Sequence, residues 1–288
     1  MPQTEKNRVL PGTLYLVSTP IGNLADLSDR AKKVLSEVDF VAAEDTRNSG
    51  LLLSRIGISR PLISYFEHNK RERGEEIAAR LENGESCALV TDAGTPAISD
   101  PGEDLVALCA ARGIRISAVP GPVASVTALT LSGLPTARFC FEGFLPAQKA
   151  ARLARLKELA GEKRTLLFHE APHKLARTLD DLCQIFGPTR RIAVCRELTK
   201  LNEEILRTTL ADAAAYYQAN APRGEFVLVV AGAPEKPAAE PAPALSLADQ
   251  VLQYEREGLS RKDAIKRVAH ERNLPKNDVY QAMLAKEE

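Results

Sequence analysis

The sequence predicts an α/β protein built from two α/β domains with mainly parallel sheets, followed by a small C-terminal helical module. Short apolar runs of strand length alternate with amphipathic stretches of helical spacing through most of the chain, which is typical of proteins with parallel sheets. The 288 residues are too many for one average domain. The predicted parts are an N-terminal α/β domain (1–133), a C-terminal α/β domain (134–232), a stiff linker rich in proline and alanine (233–245) and a helical tail (246–288).

Five strands and four helices are expected in the first domain. The strands are predicted from short apolar runs, and the helices from apolar spacing and from their ends. Ser28 is a natural N-cap, and Gly84 and Gly113 each close a helix. The strands are expected at 13–17, 40–45, 61–66, 87–92 and 114–120, and the helices at 28–38, 70–84, 101–112 and 123–133.

The second domain repeats the alternation, and the tail is helical. After an apolar stretch at 137–144, helices are expected at 148–160, 173–186 and 210–220, and strands at 164–170, 191–198 and 225–232. In the tail, Ser260 and Asp263 resemble a capping box, and an "NLP" break separates two helices. A helix pair this short buries little apolar surface, so we expect it to dock on the main body or on a partner.

Composition argues against a membrane protein, a disulfide-bonded protein and a protein that attracts nucleic acid by its net charge. Lys+Arg and Asp+Glu both number 38, so no global field attracts a polyanion, and binding of nucleic acid requires a local basic patch or shape. No apolar run is long enough to span a bilayer, and the N-terminus lacks a signal-peptide core, so we expect a cytoplasmic protein without a membrane partner. Five cysteines without a CxxC pair favour reduced core residues with no metal or disulfide role.

Three glycine-bearing loops follow three predicted strands, at 18–28, 91–102 and 119–125. In an open α/β sheet, ligands bind beyond the carboxyl ends of the strands, so loops that converge there predict a site. The loops lack the GxGxxG and GxxxxGK[ST] patterns of dinucleotide and phosphate sites. They offer acids and backbone groups but no lysine, which suits a ligand with hydroxyls, a purine edge and a positive centre, such as S-adenosylmethionine.

Six motifs carry a resemblance to a known family. In chain order they are "LYLVSTPIGNLADLS", "EDTR", "VTDAGTPAISDPG", "VPGPVAS", "FHEAPHKL" and "CRELTKLNEE". They resemble the tetrapyrrole-methylase-like superfamily and, within it, the ribosomal RNA small subunit methyltransferase I family, over residues 10–232. The resemblance implies S-adenosylmethionine in a cleft between two α/β domains, a homodimer, and 2′-O-methylation of a cytidine ribose in the decoding region of 16S rRNA, presented as rRNA or as the small ribosomal subunit.

The resemblance also implies which residues bind the cofactor. They are Pro20, Gly22, Asn23, Asp92, Gly94, Thr95, Pro120, Gly121, Ser125 and, near the cofactor, Glu170. The first loop reads "TPIGN" where the wider superfamily is richer in glycine, which leaves the role of Asn23 open. Asp92 is expected either to accept hydrogen bonds from the cofactor or to fix its own loop. Asp100 is expected to cap the following helix.

The "HEAPH" stretch at 169–173 matches the HExxH pattern of zinc proteases letter for letter. That chemistry needs both histidines on one face of a helix. Pro172 breaks such a helix and the preceding residues predict a strand, so we interpret the stretch as a strand-to-helix loop without a metal.

Transfer of a methyl group to a ribose hydroxyl requires that the hydroxyl proton leave, so a base or a cation near the developing alkoxide is expected. The favoured catalytic residues are Lys200, Glu197, Asp45 and Arg47, without a firm assignment of the base. An ordinary surface ion pair explains the same letters equally well.

Three basic clusters are candidates for contacts with RNA, and each is equally well explained as a solvated surface. They are residues 70–73, the set Lys149, Arg152, Arg155 and Lys157, and residues 261–267. Arg261, Lys262 and Lys266 of the tail are favoured because they share a helix face on a small module.

Two other functions remain open. One is methylation of a porphyrin or corrin precursor, which needs the same cofactor pocket but no basic tail. The other is a non-catalytic RNA-binding protein whose cofactor pocket has decayed, although the loops are intact.

Overall fold

The computed structural model describes residues 8–234 and 245–287. The chain divides into two compact units, one ending at Ala233 and the other beginning at Pro234. Most of the predicted linker, residues 235–244, lies outside the described residues.

The first unit begins with a parallel sheet of five strands in the order β3-β2-β4-β1-β5. Helices on both faces bury two apolar cores, one around Val41 and Val90 and the other around Leu14 and Leu89. The strands are β1 (Thr13–Val17), β2 (Phe40–Ala43), β3 (Leu62–Ser64), β4 (Cys87–Val90) and β5 (Arg115–Val119). The helices are α1 (Asp29–Glu37), α2 (Thr46–Arg55), α3 (Lys70–Glu82), α4 (Gly102–Ala111) and α5 (Ala124–Ser132), and a 3₁₀ turn covers Leu24–Asp26.

A second sheet of five strands follows in the order β6-β7-β10-β8-β9. Strands β6 and β7 are parallel, whereas β10 runs antiparallel to both of its neighbours and β9 antiparallel to β8. The strands are β6 (Phe139–Phe144), β7 (Thr165–Glu170), β8 (Arg191–Arg196), β9 (Glu204–Thr209) and β10 (Phe226–Val230), and the helices are α6 (Lys149–Leu159), α7 (Pro172–Phe186) and α8 (Leu210–Ala219).

The predicted class, α/β with mainly parallel pairing, is confirmed for the chain as a whole. Two elements of the first unit had no prediction, helix α2 and strand β9. Helix α5, which the sequence placed with the first domain, packs on the second sheet, where Ala128 and Leu129 meet Leu167 and Val229. The two sheets therefore share apolar packing within one unit. The boundary at residue 133 stays a prediction.

The second unit contains three helices, α9 (Leu247–Arg256), α10 (Arg261–Glu271) and α11 (Lys276–Glu287). They enclose an apolar core that includes Val251, Val268, Val279 and Met283. The sequence predicted only the pair α10 and α11, and α9 is a third helix that covers part of their apolar surface. Docking of this unit on the main body or on a partner stays a prediction. The side chain of Ser260 caps α10 by accepting from the Asp263 N–H, as the capping box predicted.

No helix in the described part of the chain is long and apolar enough to cross a membrane. All five cysteines are free thiols, and Cys87, Cys109 and Cys195 are buried. Among residues 8–234 and 245–287, no group of three or more His, Cys, Asp or Glu side chains is placed to hold a metal ion.

Candidate active site

The three glycine-bearing loops meet at the carboxyl edge of the first sheet. The Thr19 N–H donates to the Gly94 carbonyl at 2.8 Å, and the Gly94 N–H donates back at 3.2 Å. The hydroxyls of Ser18 and Thr95 lie 2.7 Å apart, and the Thr95 hydroxyl donates to the Pro122 carbonyl at 3.0 Å. Hydrogen bonds thus connect all three loops and fix their positions relative to one another at this edge.

Glycines allow the close approach of these loops. Gly94 has φ +87°, and a Cβ there would lie 3.3 Å from Ile21 Cγ2. A Cβ on Gly121 would lie 2.8 Å from Ser18 Cβ. A Cβ on Gly22 would lie 2.3 Å from Lys200 Cγ and 3.1 Å from the Leu198 carbonyl. Gly22 therefore packs the first loop against the loop after β8.

A cavity of about 410 Å³ lies where the carboxyl edge of the first sheet meets the ends of β7 and β8 and the start of β10. This volume is in the range of small-molecule sites. From the first half of the unit it is lined by Ile21, Glu44, Thr91, Asp92, Ala93, Ile98, Ser99, Asp100 and Ala124. From the second half it is lined by Phe144, His169, Glu170, Ala171, Pro172, Cys195, Leu198, Glu225, Phe226 and Val227.

The cavity is acidic. Five carboxylates contribute to its lining, namely Glu44, Asp92, Asp100, Glu170 and Glu225, and none of the described lining residues is lysine or arginine. Burial lowers the pKa of His169, so its imidazole is neutral near pH 7. Such a surface attracts a cation and offers acceptors to hydroxyl and amine donors, but it repels a phosphate.

Asp100 has one carboxylate oxygen engaged and one without a partner. Its Oδ1 accepts from the Ala97 N–H at 3.0 Å and from the Gly102 N–H at 2.8 Å, and Gly102 begins α4. Asp100 thus bonds the first N–H of α4, although the N-cap position itself is occupied by Pro101. Its Oδ2 is buried and has no hydrogen-bond partner among the described atoms. A buried carboxylate oxygen in a cavity wall marks a place for a ligand donor, a role that the sequence analysis missed.

The backbone around Asp100 is strained. Ala97 and Ser99 have φ values of +67° and +64°, in the left-handed region that residues other than glycine rarely adopt. Each costs about 1–3 kcal/mol, which the hydrogen bonds to Asp100 Oδ1 help to offset. The strain is held at the cavity wall, as is common at ligand sites.

Asp92 and Glu44 are positioned by side chains from neighbouring elements. Asp92 Oδ2 accepts from Asn48 Nδ2 at 3.1 Å, and Glu44 Oε2 accepts from the Thr91 hydroxyl at 2.9 Å. Asp92 thus lines the cavity while it is anchored to helix α2. Its anchor is the side chain of Asn48 on another element.

Glu170 lines the cavity from the end of β7 and is buried. Its Oε2 accepts from the Thr178 hydroxyl at 2.6 Å, and its Oε1 accepts from the Ala171 N–H at 2.8 Å. Both oxygens are therefore engaged within the protein. This arrangement fixes the turn into α7 and leaves limited capacity to accept from a ligand.

Most other cofactor candidates form the framework behind the lining. Asn23 caps the 3₁₀ turn by accepting from the Ala25 N–H at 3.0 Å, and Ser125 is buried in the first turn of α5. The described lining of the cavity does not include Pro20, Gly22, Asn23, Gly94, Thr95, Pro120, Gly121 or Ser125. The structure brings them to the same edge, and whether any of them contacts the cofactor stays a prediction.

Lys200 joins two carboxylates beside the cavity. Its Nζ donates to Glu197 Oε1 at 2.8 Å and to Glu225 Oε2 at 3.0 Å. Burial acts to lower the pKa of Lys200, but its hydrogen bonds to Glu197 and Glu225 outweigh burial and raise that pKa. The hydrogen bond from Lys200 lowers the pKa of Glu197. Lys200 is therefore a cation at neutral pH and suits stabilisation of negative charge better than removal of a proton.

Asp45 and Arg47 form a local pair at the start of α2. Asp45 is the N-cap and accepts from the Arg47 N–H at 2.8 Å, while the Arg47 guanidinium donates to it at 2.6 and 3.1 Å. The hydrogen bond from Arg47 lowers the pKa of Asp45 to about 2. Neither residue is part of the described cavity lining, although the preceding residue, Glu44, is. The pair has a structural role, and a catalytic one stays a prediction.

The "HEAPH" residues divide between two elements. His169 and Glu170 end β7, whereas Pro172 and His173 begin α7. The two histidines therefore do not share a helix face, as the zinc-protease pattern would need.

The basic clusters differ in how many of their charges are paired. Arg152 is buried, and its Nε donates to Asp181 Oδ2 at 2.7 Å, so it serves packing of α6 on α7. Arg155 is paired with Glu142 at 2.7 Å. In the tail, Arg261 lies 3.8 Å from Glu255, whereas Lys262 and Lys266 have no carboxylate partner among the described residues.

Comparison with known proteins first defines the class. A model of the family Tetrapyrrole (Corrin/Porphyrin) Methylases matches residues 13–214. Among solved structures, the methyltransferase CobJ superposes with a TM-score of 0.59 at 20% identity, covering 77% of this chain and 95% of that one. Uroporphyrin-III C-methyl transferase from Thermus thermophilus, complexed with S-adenyl homocysteine, gives a TM-score of 0.54 at 17% identity, covering 75% and 96%. The fold is that of this class of methyltransferases.

Curated relatives narrow the class. Ribosomal RNA small subunit methyltransferase I from Synechocystis sp. is 47% identical, covering 95% of this chain and 98% of the relative. The protein of the same name from Escherichia coli O157:H7 is 44% identical, covering 95% of both. The chain belongs to the ribosomal RNA small subunit methyltransferase I family.

S-adenosylmethionine is the methyl donor of this family, and the cavity fits it. The lining is rich in carboxylates, which favour a sulfonium and an amine, and Asp100 Oδ2 lacks a donor. Ile21, Ile98 and Leu198 add apolar surface that suits a purine ring.

Proposed function

We propose that this protein transfers a methyl group from S-adenosylmethionine to the ribose 2′-oxygen of a cytidine in the decoding region of 16S rRNA. The observation that carries the proposal is the similarity, at 42–47% identity over almost the full chain, to relatives named for methylation of small-subunit rRNA. The acid-lined cavity supports the donor, and the lysines on α10 support an RNA substrate.

The cofactor, when bound, supplies a methyl group made electrophilic by the sulfonium. Asp92 and Asp100 would hold its amine and hydroxyl donors, because both line the cavity and Asp100 Oδ2 has no other partner. The rigid bonding of the three loops would fix the orientation of the cofactor before the RNA arrives.

The 2′-hydroxyl loses its proton as the new bond forms, so negative charge develops on the oxygen. Lys200 would stabilise this charge, because its ammonium lies 3.0 Å from the cavity carboxylate Glu225. Glu225 would accept the proton or pass it to solvent, since its side chain is largely exposed. Glu197 would keep Lys200 in position through the 2.8 Å hydrogen bond.

RNA contacts are proposed for the tail, where Arg261, Lys262 and Lys266 lie on α10. A homodimer stays a prediction from the family resemblance, and a cytoplasmic location stays a prediction from the sequence.

The test is mass spectrometry of 16S rRNA from cells that lack this protein. One 2′-O-methyl group on a decoding-region cytidine should be missing, and expression of the wild-type chain should restore it, whereas a Lys200→Met variant should not restore it fully. The purified protein should transfer tritium from labelled cofactor to small subunits or 16S rRNA, and not to porphyrin or corrin precursors. An unchanged methylation pattern in the deleted strain would overturn the proposal.

A further inference from the structure

Strand β6 contains a β-bulge beside the cavity. Phe141 pairs with Leu167, and Gly143 pairs with the next residue, Phe168, so Glu142 is an extra residue without a partner on β7. Side chains alternate between the two faces of a strand, and one extra residue moves every later side chain to the opposite face. The bulge therefore places Phe144 on the same face as Phe141, towards the cleft, instead of on the face that packs against α7.

Contacts from two sides hold the bulge. The Arg155 guanidinium donates to Glu142 Oε2 at 2.7 and 3.0 Å. Gly143 has φ +62°, and a Cβ there would lie 3.2 Å from the Ser99 hydroxyl in the cavity loop. The bulge is thus fixed against the strained loop that carries Asp100.

The re-aimed Phe144 lies at the open edge of the cavity. Its side chain lines the cavity, yet the residue is 56% exposed. Its ring meets the ring of His169, its partner on β7, edge to face at 5.4 Å. Ile98, from the β4 loop of the first sheet, is 45% exposed and lines the same cavity. A large apolar ring left exposed at a site entrance indicates a binding surface.

The charge of the cavity limits what docks on this ring. Five lining carboxylates repel phosphate groups, so the sugar–phosphate backbone of an RNA has to stay at the rim. An unstacked nucleobase is uncharged and has two flat faces, and aromatic side chains are its usual partners in single-stranded RNA.

We propose that Phe144, aimed by the β6 bulge, stacks on the base of the nucleotide that is methylated and thereby positions its ribose against the cofactor. This inference rests on the proposed function, and it adds the residue that holds the substrate base. Phe144 acts on binding and orientation, and the proton and methyl transfers belong to other groups.

Steady-state kinetics on small subunits or 16S rRNA, together with titration calorimetry with S-adenosylmethionine, tests the proposal. Phe144→Ala and Phe144→Leu should each raise KM for RNA about fivefold or more, because base–aromatic stacking is worth about 1–3 kcal/mol. Phe144→Trp should keep KM near the wild-type value. Neither the cofactor Kd nor Tm should change much, because the ring is half exposed.

Phe139→Ala is the matched control. Phe139 begins the same strand and is 40% exposed, but it is not part of the described cavity lining. Its variant should keep the wild-type KM. Wild-type KM in Phe144→Ala or Phe144→Leu would overturn the stacking role, and so would a rise in cofactor Kd without a rise in KM. Failure of the proposed function would be seen in the wild-type chain itself, which would then methylate no RNA. Failure of the stacking role would be seen only in the Phe144 variants.

Discussion

Asp100 shows how one carboxylate can serve the fold and a ligand at once. Its Oδ1 holds the loop through the Ala97 and Gly102 N–H groups, while its Oδ2 is buried without a partner. A buried acceptor that stays unsatisfied costs about 1–3 kcal/mol. A donor from the cofactor removes this penalty on binding, so Asp100 should contribute to affinity more than to stability.

Asp100→Asn keeps an oxygen for the loop and replaces the other by an amide. We expect the Kd for S-adenosylmethionine to rise about tenfold or more, because a hydrogen bond to a charged group is worth about 1.5–3 kcal/mol. Titration calorimetry measures the Kd, and thermal unfolding should show Tm within a few degrees of wild type. Glu103→Gln, which removes one acid from the exposed side of α4, is the control. Equal affinities for S-adenosylmethionine in the wild type, Asp100→Asn and Glu103→Gln would contradict the role of Asp100 in binding the cofactor.

His169 makes stability depend on pH. Burial lowers its pKa in the folded chain, so between that pKa and the ordinary value near 6.5 the unfolded chain binds a proton that the folded chain does not. Stability should therefore fall as pH drops from 6.5 towards the folded-state pKa, and this loss should level off below it. The loss amounts to about 1.4 kcal/mol for each unit of pKa difference.

Removal of the titrating ring should remove that part of the pH dependence. In His169→Gln, the free energy of unfolding from urea titrations should drop less between pH 7 and pH 5 than in the wild type. His68→Gln serves as the control, because that ring is exposed, and its pH profile should run parallel to the wild-type profile. A wild-type slope in His169→Gln would show that the buried imidazole is not the cause.

At the scale of the elements, loops from both halves of the first unit interlock beside the cavity. Gly22 in the loop after β1 lies against Lys200 and the Leu198 carbonyl in the loop after β8. Ile21, which precedes Gly22, and Leu198 itself both line the cavity. The shape of the cavity therefore depends on a contact that is too close to admit a methyl group.

Gly22→Ala should force these loops apart. Overpacking costs about 1–3 kcal/mol, and we expect Tm to fall by several degrees and the affinity for S-adenosylmethionine to fall with it. Differential scanning fluorimetry with and without the cofactor measures both effects. A methyl group added at Gly161 meets no atom within 4 Å, so Gly161→Ala should leave both values unchanged. If Gly22→Ala binds the cofactor as tightly as that control does, the interlock does not shape the site.

The sequence predicted elements best where burial is periodic or continuous. The buried strands, such as β4 with its run "CALV", are continuous apolar segments and were expected. Helix α2 was missed because only Ser49 and Leu53 are buried along it, so its apolar pattern is weak. Gly50, a poor helix former, lies in its middle. Strand β9 was missed because it is a half-buried edge strand with charged residues. The bulge at Glu142 leaves no signal in the letters, since it depends on pairing with β7.

The site was predictable as a place but not as a set of contacts. Glycine and proline after apolar runs located three loops at one sheet edge, and the loops do meet there. The hydroxyl of Thr95, however, bonds to Ser18, 77 residues away, and Gly121 packs on the same serine. Which polar side chains tie loops together and which face the cavity depends on such long-range pairs, and local patterns do not encode them.

At the scale of the whole molecule, the balance of 38 basic and 38 acidic residues leaves no net charge to attract RNA. These charges are paired unevenly. Arg152 and Arg155 in the first unit are bound to carboxylates, whereas Lys262 and Lys266 in the tail have no carboxylate partner within residues 8–234 and 245–287. The tail has its own apolar core, so changes on its surface should leave the cofactor cavity intact.

Reversal of two tail charges tests this separation of roles. In the double variant Lys262→Glu, Lys266→Glu, we expect weaker binding to a 16S decoding-region RNA and a flatter dependence of affinity on salt. Each lost phosphate contact should reduce the slope of log K against log salt by about 0.7–0.9. The affinity for S-adenosylmethionine should equal that of the wild type. Fluorescence anisotropy at several salt concentrations measures the slope.

A double variant in the first unit, Lys32→Glu with Lys33→Glu, makes the same change in net charge on α1, where both lysines are paired with acids. If RNA affinity responded to net charge, both variants would bind RNA equally weakly. If the tail patch makes the contacts, only the α10 variant loses affinity and slope, because attraction between charges in salt water fades within about 10 Å. Equal losses in the two variants would remove the tail from the RNA interface, and the substrate would then have to be held by the first unit alone.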